Sequence, residues 1–259
     1  MIIVISPAKS LKLEAKSSYK KYSMPFFKKE IGDLGENLSK LSSSEIGDLM
    51  KISDKLSELN HQRYQNLSKN FDKISKENSI PAILTFDGDV YQEIDVENFS
   101  DKDFEFAQNH LFILSGLYGI LKPLDLILPY RLEMGTNFKG TKIEESLKSK
   151  NLYDFWNEKI SEYLNKISGD YLINLASEEY FQAIKKEKLN KKIINIIFKE
   201  DKNGTLKIIG TLAKRARGMM ANFIIKNQIT KPEDLKKFND KNYKFREDLS
   251  DKNNFIFVK

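Results

Sequence analysis

Met1-Ile2-Ile3-Val4-Ile5-Ser6-Pro7-Ala8-Lys9 is the stretch on which the fold class turns. Its aliphatic residues follow one another without polar alternation, so they read as a buried first strand. A Ser-Pro turn ends the strand and a lysine follows. A polar residue and a lysine at a strand's carboxyl end often face a ligand crevice, although an ordinary strand-exit turn reads the same way. The run is too short for the apolar part of a secretory leader, and no basic segment precedes it.

Working outward, apolar periodicity predicts helices at about 26–41, 44–51 and 53–70, with Ser42 and Glu45 at capping-box spacing. Pro81 closes that region, and Ala82 to Phe86 reads as a buried strand. Ser100 starts a helix that ends near His110, Leu111 to Leu114 is another strand, and a turn-rich segment covers 115–130. A helix is expected over 152–167, a strand over Tyr171 to Leu175 and a helix over 177–186. Strands at 192–199 and 205–211 are joined through Asp201-Lys202-Asn203-Gly204, whose Asn-Gly pair is a hairpin signal. A helix then runs from Thr211 to about Asn227, Pro232 opens a short one, and strands surround Tyr243 to Phe245 and Phe255 to Val258. On the 211–227 helix, Leu212, Ala216, Met219 and Phe223 form the expected buried stripe, with Lys214, Arg217 and Ala221 opposite. Interleaved elements with no clear linker predict a single α/β (mixed α+β) domain over 1–259, a central mixed sheet with packed helices.

Composition narrows the chemistry. With 259 residues, 40% of them hydrophobic, the chain can bury a full core. It has no cysteine, which excludes disulfides, thiolate metal sites, cysteine nucleophiles and thiol peroxidase chemistry. His61 and His110 are far apart, which argues against a histidine-based metal cluster; no metal or cofactor is expected, and an all-carboxylate site stays open. No apolar run approaches the ~18–20 residues that span a membrane, so a cytoplasmic protein without membrane contact is expected. The formal net charge is +6. Lys and Arg total 43, of which five are arginines (Arg63, Arg131, Arg215, Arg217, Arg246), leaving 38 lysines. Where lysine is the default cation, arginine marks positions that need a planar, bidentate donor.

Five more segments carry candidate chemistry. Phe86-Asp87-Gly88-Asp89-Val90-Tyr91 sets two carboxylates around a glycine, suited to a metal, to acid/base work, to a cation, or simply to an Asx-capped turn. Leu114 to Asp125 holds Gly116 and Gly119 in an apolar turn that resembles a helix-hairpin-helix, with two residues between the glycines instead of one. Glycines let backbone N–H groups approach a phosphate; tight packing on the sheet is the other reading. In Pro129 to Thr136, Arg131 and Glu133 are two apart and share a face if the chain is extended there. In Asn174 to Tyr180, Ser177 is a helix N-cap, and Glu178 and Glu179 suit the first turn without further chemistry. Ala213-Lys214-Arg215-Ala216-Arg217-Gly218-Met219-Met220 sets cations beside small residues, as a surface approached by a phosphate backbone would.

Taken together and in this order, Ser6-Pro7-Ala8-Lys9, Gly88-Asp89-Val90-Tyr91, the run from Leu114 to Thr136, Asn174 to Ser177 with Glu179-Tyr180, and Ala213 to Met220 closely resemble the YaaA family. The similarity spans essentially the whole chain, and the Leu114–Thr136 run is its most specific part. It implies a bacterial, cytosolic protein of peroxide stress resistance, described as lowering harmful intracellular iron and as binding DNA. It further implies an unusual α/β body with a basic cleft and a helix-hairpin-helix-like element, and no settled enzymatic activity. The chain departs from the family at Asn222 (usually basic), at Gln92-Glu93-Ile94 (usually with a glycine), at Asn242 (usually glycine) and at Lys259 (commonly arginine). The leading expectation is a monomer that grips duplex DNA without sequence preference. Lys9, Gly116, Gly119, Lys122, Arg131, Lys214, Arg215 and Arg217 would line or rim one cleft. The alternative is an enzyme processing a base in nucleic acid or a nucleotide, with Asp87, Asp89, Glu133 and Glu179 as candidate acids.

Overall fold

The computed structural model describes residues 1–14 and 19–259. Its strands are β1 (Ile2–Ile5), β2 (Ser10–Leu11), β3 (Ile80–Pro81), β4 (Phe86–Asp87), β5 (Leu111–Ser115), β6 (Gly119–Leu121), β7 (Leu126–Ile127), β8 (Tyr171–Asn174), β9 (Lys192–Lys202), β10 (Thr205–Lys207), β11 (Lys244–Phe245) and β12 (Asn254–Val258). The α-helices are α1 (Lys28–Ser39), α2 (Ser43–Met50), α3 (Asp54–Asn70), α4 (Ala82–Thr85), α5 (Asp89–Ile94), α6 (Asp101–His110), α7 (Lys142–Leu147), α8 (Leu152–Trp156), α9 (Lys159–Asn165), α10 (Glu178–Phe181) and α11 (Gly210–Lys226).

The central sheet is mixed, as expected, with the order β11-β12-β9-β8-β1-β5-β6 and β10 paired to β9. β1, β5, β8, β9 and β12 run parallel, while β6 and β11 are antiparallel to their neighbours. β1 and β5 are buried along their whole length, which fits strands covered by helices on both faces. From β1 the chain moves first to β5 on one side and then to β8 on the other. The crevice outside the carboxyl ends of β1 and β8 is therefore a topological switch point, where open α/β sheets bind ligands.

Local signals that come from hydrogen bonding held well. The Ser42–Glu45 capping box forms, and Ser100 starts α6 with Asp103 completing a second box. Asn203 and Gly204 both have positive φ between Lys202 and Thr205, as a two-residue hairpin loop requires.

Other expectations are corrected. Ala82 to Thr85 is one helical turn, not a strand: Thr85 Oγ1 donates back to the Pro81 carbonyl, and only Phe86–Asp87 is extended. Burial alone does not distinguish a short apolar strand from a buried helical turn. The 152–167 helix is broken into α8 and α9 at Asn157, which has φ 40. The 177–186 helix is only α10, and the strand expected to 211 ends at Lys207. The segment read as resembling a helix-hairpin-helix is a β-hairpin, β5–β6.

Candidate functional site

The carboxyl edge of the sheet is closed by reciprocal polar contacts. Tyr91 donates to the Ser6 carbonyl at 2.9 Å, and the Ser177 N–H donates to Ser6 Oγ at 2.9 Å. These bonds tie the exits of β1 and β8 to α5. Ala8 lies against Gly88, where a Cβ would approach it to 3.3 Å.

Beyond this edge, a cleft of about 690 Å³ opens between α2 and the 135–142 loop, with Arg131, Glu133 and Glu179 among its lining residues. Lys9 Nζ and Arg131 Nη2 both reach Glu133 Oε1, at 3.0 and 2.9 Å. Arg131 and Glu133, expected to share a face, are paired, with Lys9 as a third member. Burial raises the pKa of the Glu133 carboxyl, but Lys9 and Arg131 outweigh it and hold the group below its ordinary value. Arg131 is largely buried, its carbonyl accepts from the Tyr64 hydroxyl, and its Nε is buried without a partner among the described residues. Glu179 is more than a first-turn acid, because its Oε1 accepts from the Gly135 N–H at 3.0 Å.

The four candidate acids do not share one place. Glu133 and Glu179 line the cleft, whereas Asp87 lines a separate hollow with Lys12, Tyr91 and Glu97. Asp89 lies in the first turn of α5. Of the expected cations, Arg131 lines the cleft and Lys9 reaches it through Glu133, whereas Lys122 lies elsewhere. Lys122 begins the turn after β6, where its N–H donates to Asp125, at the amino-end side of β5. Gly116 and Gly119 serve packing. A Cβ on Gly116 would lie 2.3 Å from the Leu132 carbonyl, and Gly119 (φ 68) has Trp156 against it. Trp156 Nε1 also donates to the Gly116 carbonyl.

The helix α11 faces the molecule differently from its expected stripe. Ala213, Ala216, Gly218, Met219, Met220, Ala221, Ile224 and Ile225 are buried, and Leu212 and Phe223 only partly. At 100° per residue, Arg217 falls amid Ala213, Met220, Ala221 and Ile224, on the inward side and not the solvent side. It is half-buried, and burial lowers the pKa of its guanidinium. Among the described residues no carboxylate pairs with it. Lys214 is exposed, and Arg215 pairs with Glu93. Asn222, standing where a basic residue is usual, donates to the Ile94 carbonyl at the end of α5.

Two features were missed in the sequence. Arg63, on α3, feels Arg131 electrostatically; burial is the main cause that lowers its pKa, and among the described residues its side chain donates only to Asn60 Oδ1, at 3.5 Å. Its rarity as an arginine was the available signal. The second feature is the place of the helices expected at 44–51 and 53–70: they form as α2 and α3, joined by Lys51-Ile52-Ser53 with Lys51 in the left-handed region at φ 54, and their position beside the cleft was not anticipated. This helix–turn–helix borders the cleft through Asp48, Leu49, Met50 and Lys51.

A family model described as peroxide stress protein YaaA matches residues 1–249. A UPF0246 protein of Acaryochloris marina is 46% identical over 261 residues, covering 100% of both chains. UPF0246 proteins of Saccharophagus degradans and Colwellia psychrerythraea are 45% and 46% identical over 263 residues, covering 100% of this chain and 99% of each relative.

Proposed function

The chain belongs to the peroxide stress protein YaaA family, and from that premise we propose that it acts in peroxide stress as a DNA-binding protein. It would hold the phosphate backbone of duplex DNA without sequence preference and shield it from iron-dependent oxidation. The observation that carries this reading is that Arg63 on α3 and Arg217 on α11 are each half-buried cations without a carboxylate partner among the described residues. A partly desolvated cation with no counter-ion is costly, and a phosphate supplies the missing charge with matching geometry. The first turn of α3, behind Lys51-Ile52-Ser53, adds backbone N–H groups: Ser53 occupies the N-cap without bonding through its side chain.

The test is fluorescence anisotropy of a labelled duplex against salt. If Lys214 and Arg217 each neutralise one phosphate, replacing both lowers the slope of log affinity on log salt by about 1.8. Because Arg217 is half-buried, Arg217→Gln with Lys214→Ala is run beside the double alanine variant, with circular dichroism to confirm the fold. An unchanged slope in a folded variant removes α11 from the DNA surface. Salt-insensitive binding by the parent protein removes the reading altogether.

A further inference from the structure

We infer that the cleft beside Arg131, Glu133 and Glu179 is a receptor for one nucleotide unit, bordering the surface proposed to grip the backbone. Its volume, about 690 Å³, lies inside the range of roughly 300–1,000 Å³ typical of small-molecule sites, and it adjoins the switch point of the sheet through Glu133, which pairs with Lys9 after β1, and Glu179, which follows β8. Its lining is not uniformly basic. Lys51, Arg131, Lys139 and Lys142 face Glu45, Asp48, Glu133 and Glu179, four of each sign. A surface that only coats DNA has no use for the acids. A nucleotide does, because its phosphate is an anion while adenine, guanine and cytosine present amino donors.

The residues divide accordingly. Glu133 holds Lys9 and Arg131 side by side, so that two cations share one carboxylate and Arg63 adds charge behind them. That local excess of positive charge, with Arg131 Nε unpartnered, is suited to a phosphate. Glu179 Oε1 accepts from the Gly135 N–H, and its Oε2 has no partner among the described residues, leaving it free to accept from a base amino group. Leu41, Leu49 and Met50 supply an apolar wall for a ring face. The same unit comes from a free mononucleotide or from an unpaired nucleotide in DNA. Only the second source rests on the DNA-binding reading.

Calorimetry of the full chain separates these cases. 5′-dAMP and 5′-dCMP are expected to bind saturably, with inorganic phosphate competing. Deoxyadenosine, lacking the phosphate, is expected to bind at least about tenfold more weakly. Arg131→Gln lowers nucleotide affinity by about tenfold or more. Should that variant not fold, Lys9→Ala, at a side chain 63% exposed, gives a smaller loss in the same direction. Glu179→Gln abolishes a preference for 5′-dCMP over 5′-dTMP, because thymine lacks the amino group. A fully paired dumbbell DNA and one with a single unpaired cytosine then distinguish the sources. Tighter binding of the second, lost in Glu179→Gln, assigns the pocket to extruded bases, and equal binding assigns it to free nucleotides. No saturation by any mononucleotide up to about 10 mM, or equal binding of deoxyadenosine and 5′-dAMP, overturns the inference. If mononucleotides bind and the paired dumbbell does not, the DNA reading falls and the pocket stands.

Discussion

Replacing Gly218 by alanine tests whether the contact between α5 and α11 is as close as the geometry requires. In an open helix position this substitution stabilises by about 1 kcal/mol. At Gly218 the added Cβ would lie 2.2 Å from the Val90 carbonyl oxygen and 2.9 Å from Glu93 Cβ. A relaxed carbon–oxygen contact is about 3.3 Å, so the two helices must part by about 1 Å. Such a gap forfeits roughly a quarter to a half of the dispersion energy of the atoms along it. It also stretches the Asn222 bond to the Ile94 carbonyl and the Arg215–Glu93 pair, now 2.6 and 2.5 Å. Overpacking of this kind costs about 1–3 kcal/mol, and against backbone the upper half applies, so it exceeds the propensity gain. A net loss of about 1–2 kcal/mol is expected, or a Tm lower by roughly 2–8 °C for a chain of this size. Gly32 in α1 is the matched control, because a Cβ there meets nothing within 4 Å. Urea and thermal unfolding should therefore move in opposite directions for Gly32→Ala and Gly218→Ala. Equal stabilisation by both would refute the close approach and, with it, the placement of Arg217 on the inward side of α11.

Asp125 is buried, and burial pushes its pKa up to about 6 despite bonds from the Ser23 hydroxyl and the Lys122 N–H. A raised carboxyl binds its proton more tightly in the folded state. Its stabilising contribution is present below the unfolded value near 4 and is lost as pH rises through about 6. The stability difference between the parent and Asp125→Asn, followed by urea unfolding, should therefore fall from pH 4 to pH 7; a flat difference contradicts the shift. Trp156 is the single tryptophan and is fully buried against Gly119, so its emission should be blue-shifted in the folded protein. Gly119→Ala, with φ 68 and a Cβ 2.6 Å from the indole, should destabilise by more than 2 kcal/mol, roughly the sum of left-handed strain and a ring clash; parent-like unfolding would contradict this. The purified protein should not consume peroxide, since it has no cysteine, and catalytic decay in a metal-stripped sample would show otherwise.

What was legible in the sequence follows from the range of the forces involved. The capping box at Ser42, the helix start at Ser100 and the Asn-Gly hairpin at Asn203 depend on groups three or fewer residues apart, and the structure bears them out. Asn242, at φ 67, keeps the left-handed conformation that the usual glycine would adopt, which asparagine tolerates. The inward side of α11 was misjudged because the residues facing it, Val90 and Glu93, come from more than a hundred positions away. Apolar spacing alone gave Leu212 and Phe223 more burial than Ala213 and Ala221, although a close helix contact selects small side chains. For the same reason Gly116 and Gly119 looked like phosphate contacts. Only the folded chain shows that Leu132 and Trp156 occupy the space a side chain would need.

Under the two proposals, the distribution of charge divides long-range attraction from discrimination. The cleft lining carries four cations and four acids, so the excess of six positive charges lies outside it. Long-range attraction to a polyanion depends on that outer excess and is screened by salt within about 8–10 Å at ordinary ionic strength. Discrimination depends instead on partly buried groups whose partners are fixed, and here Glu133 fixes two cations at once. Removing Glu133 would add net positive charge, which favours non-specific DNA binding, yet free Lys9 and Arg131 from their common anchor. A Glu133→Gln variant should therefore bind duplex DNA as well as or better than the parent while binding 5′-dCMP more weakly. Parallel gains in both would mean that charge alone governs the cleft, and parallel losses would mean that Glu133 is needed for the fold at this edge. Only opposite changes are consistent with a positioned receptor set into a generally attractive surface.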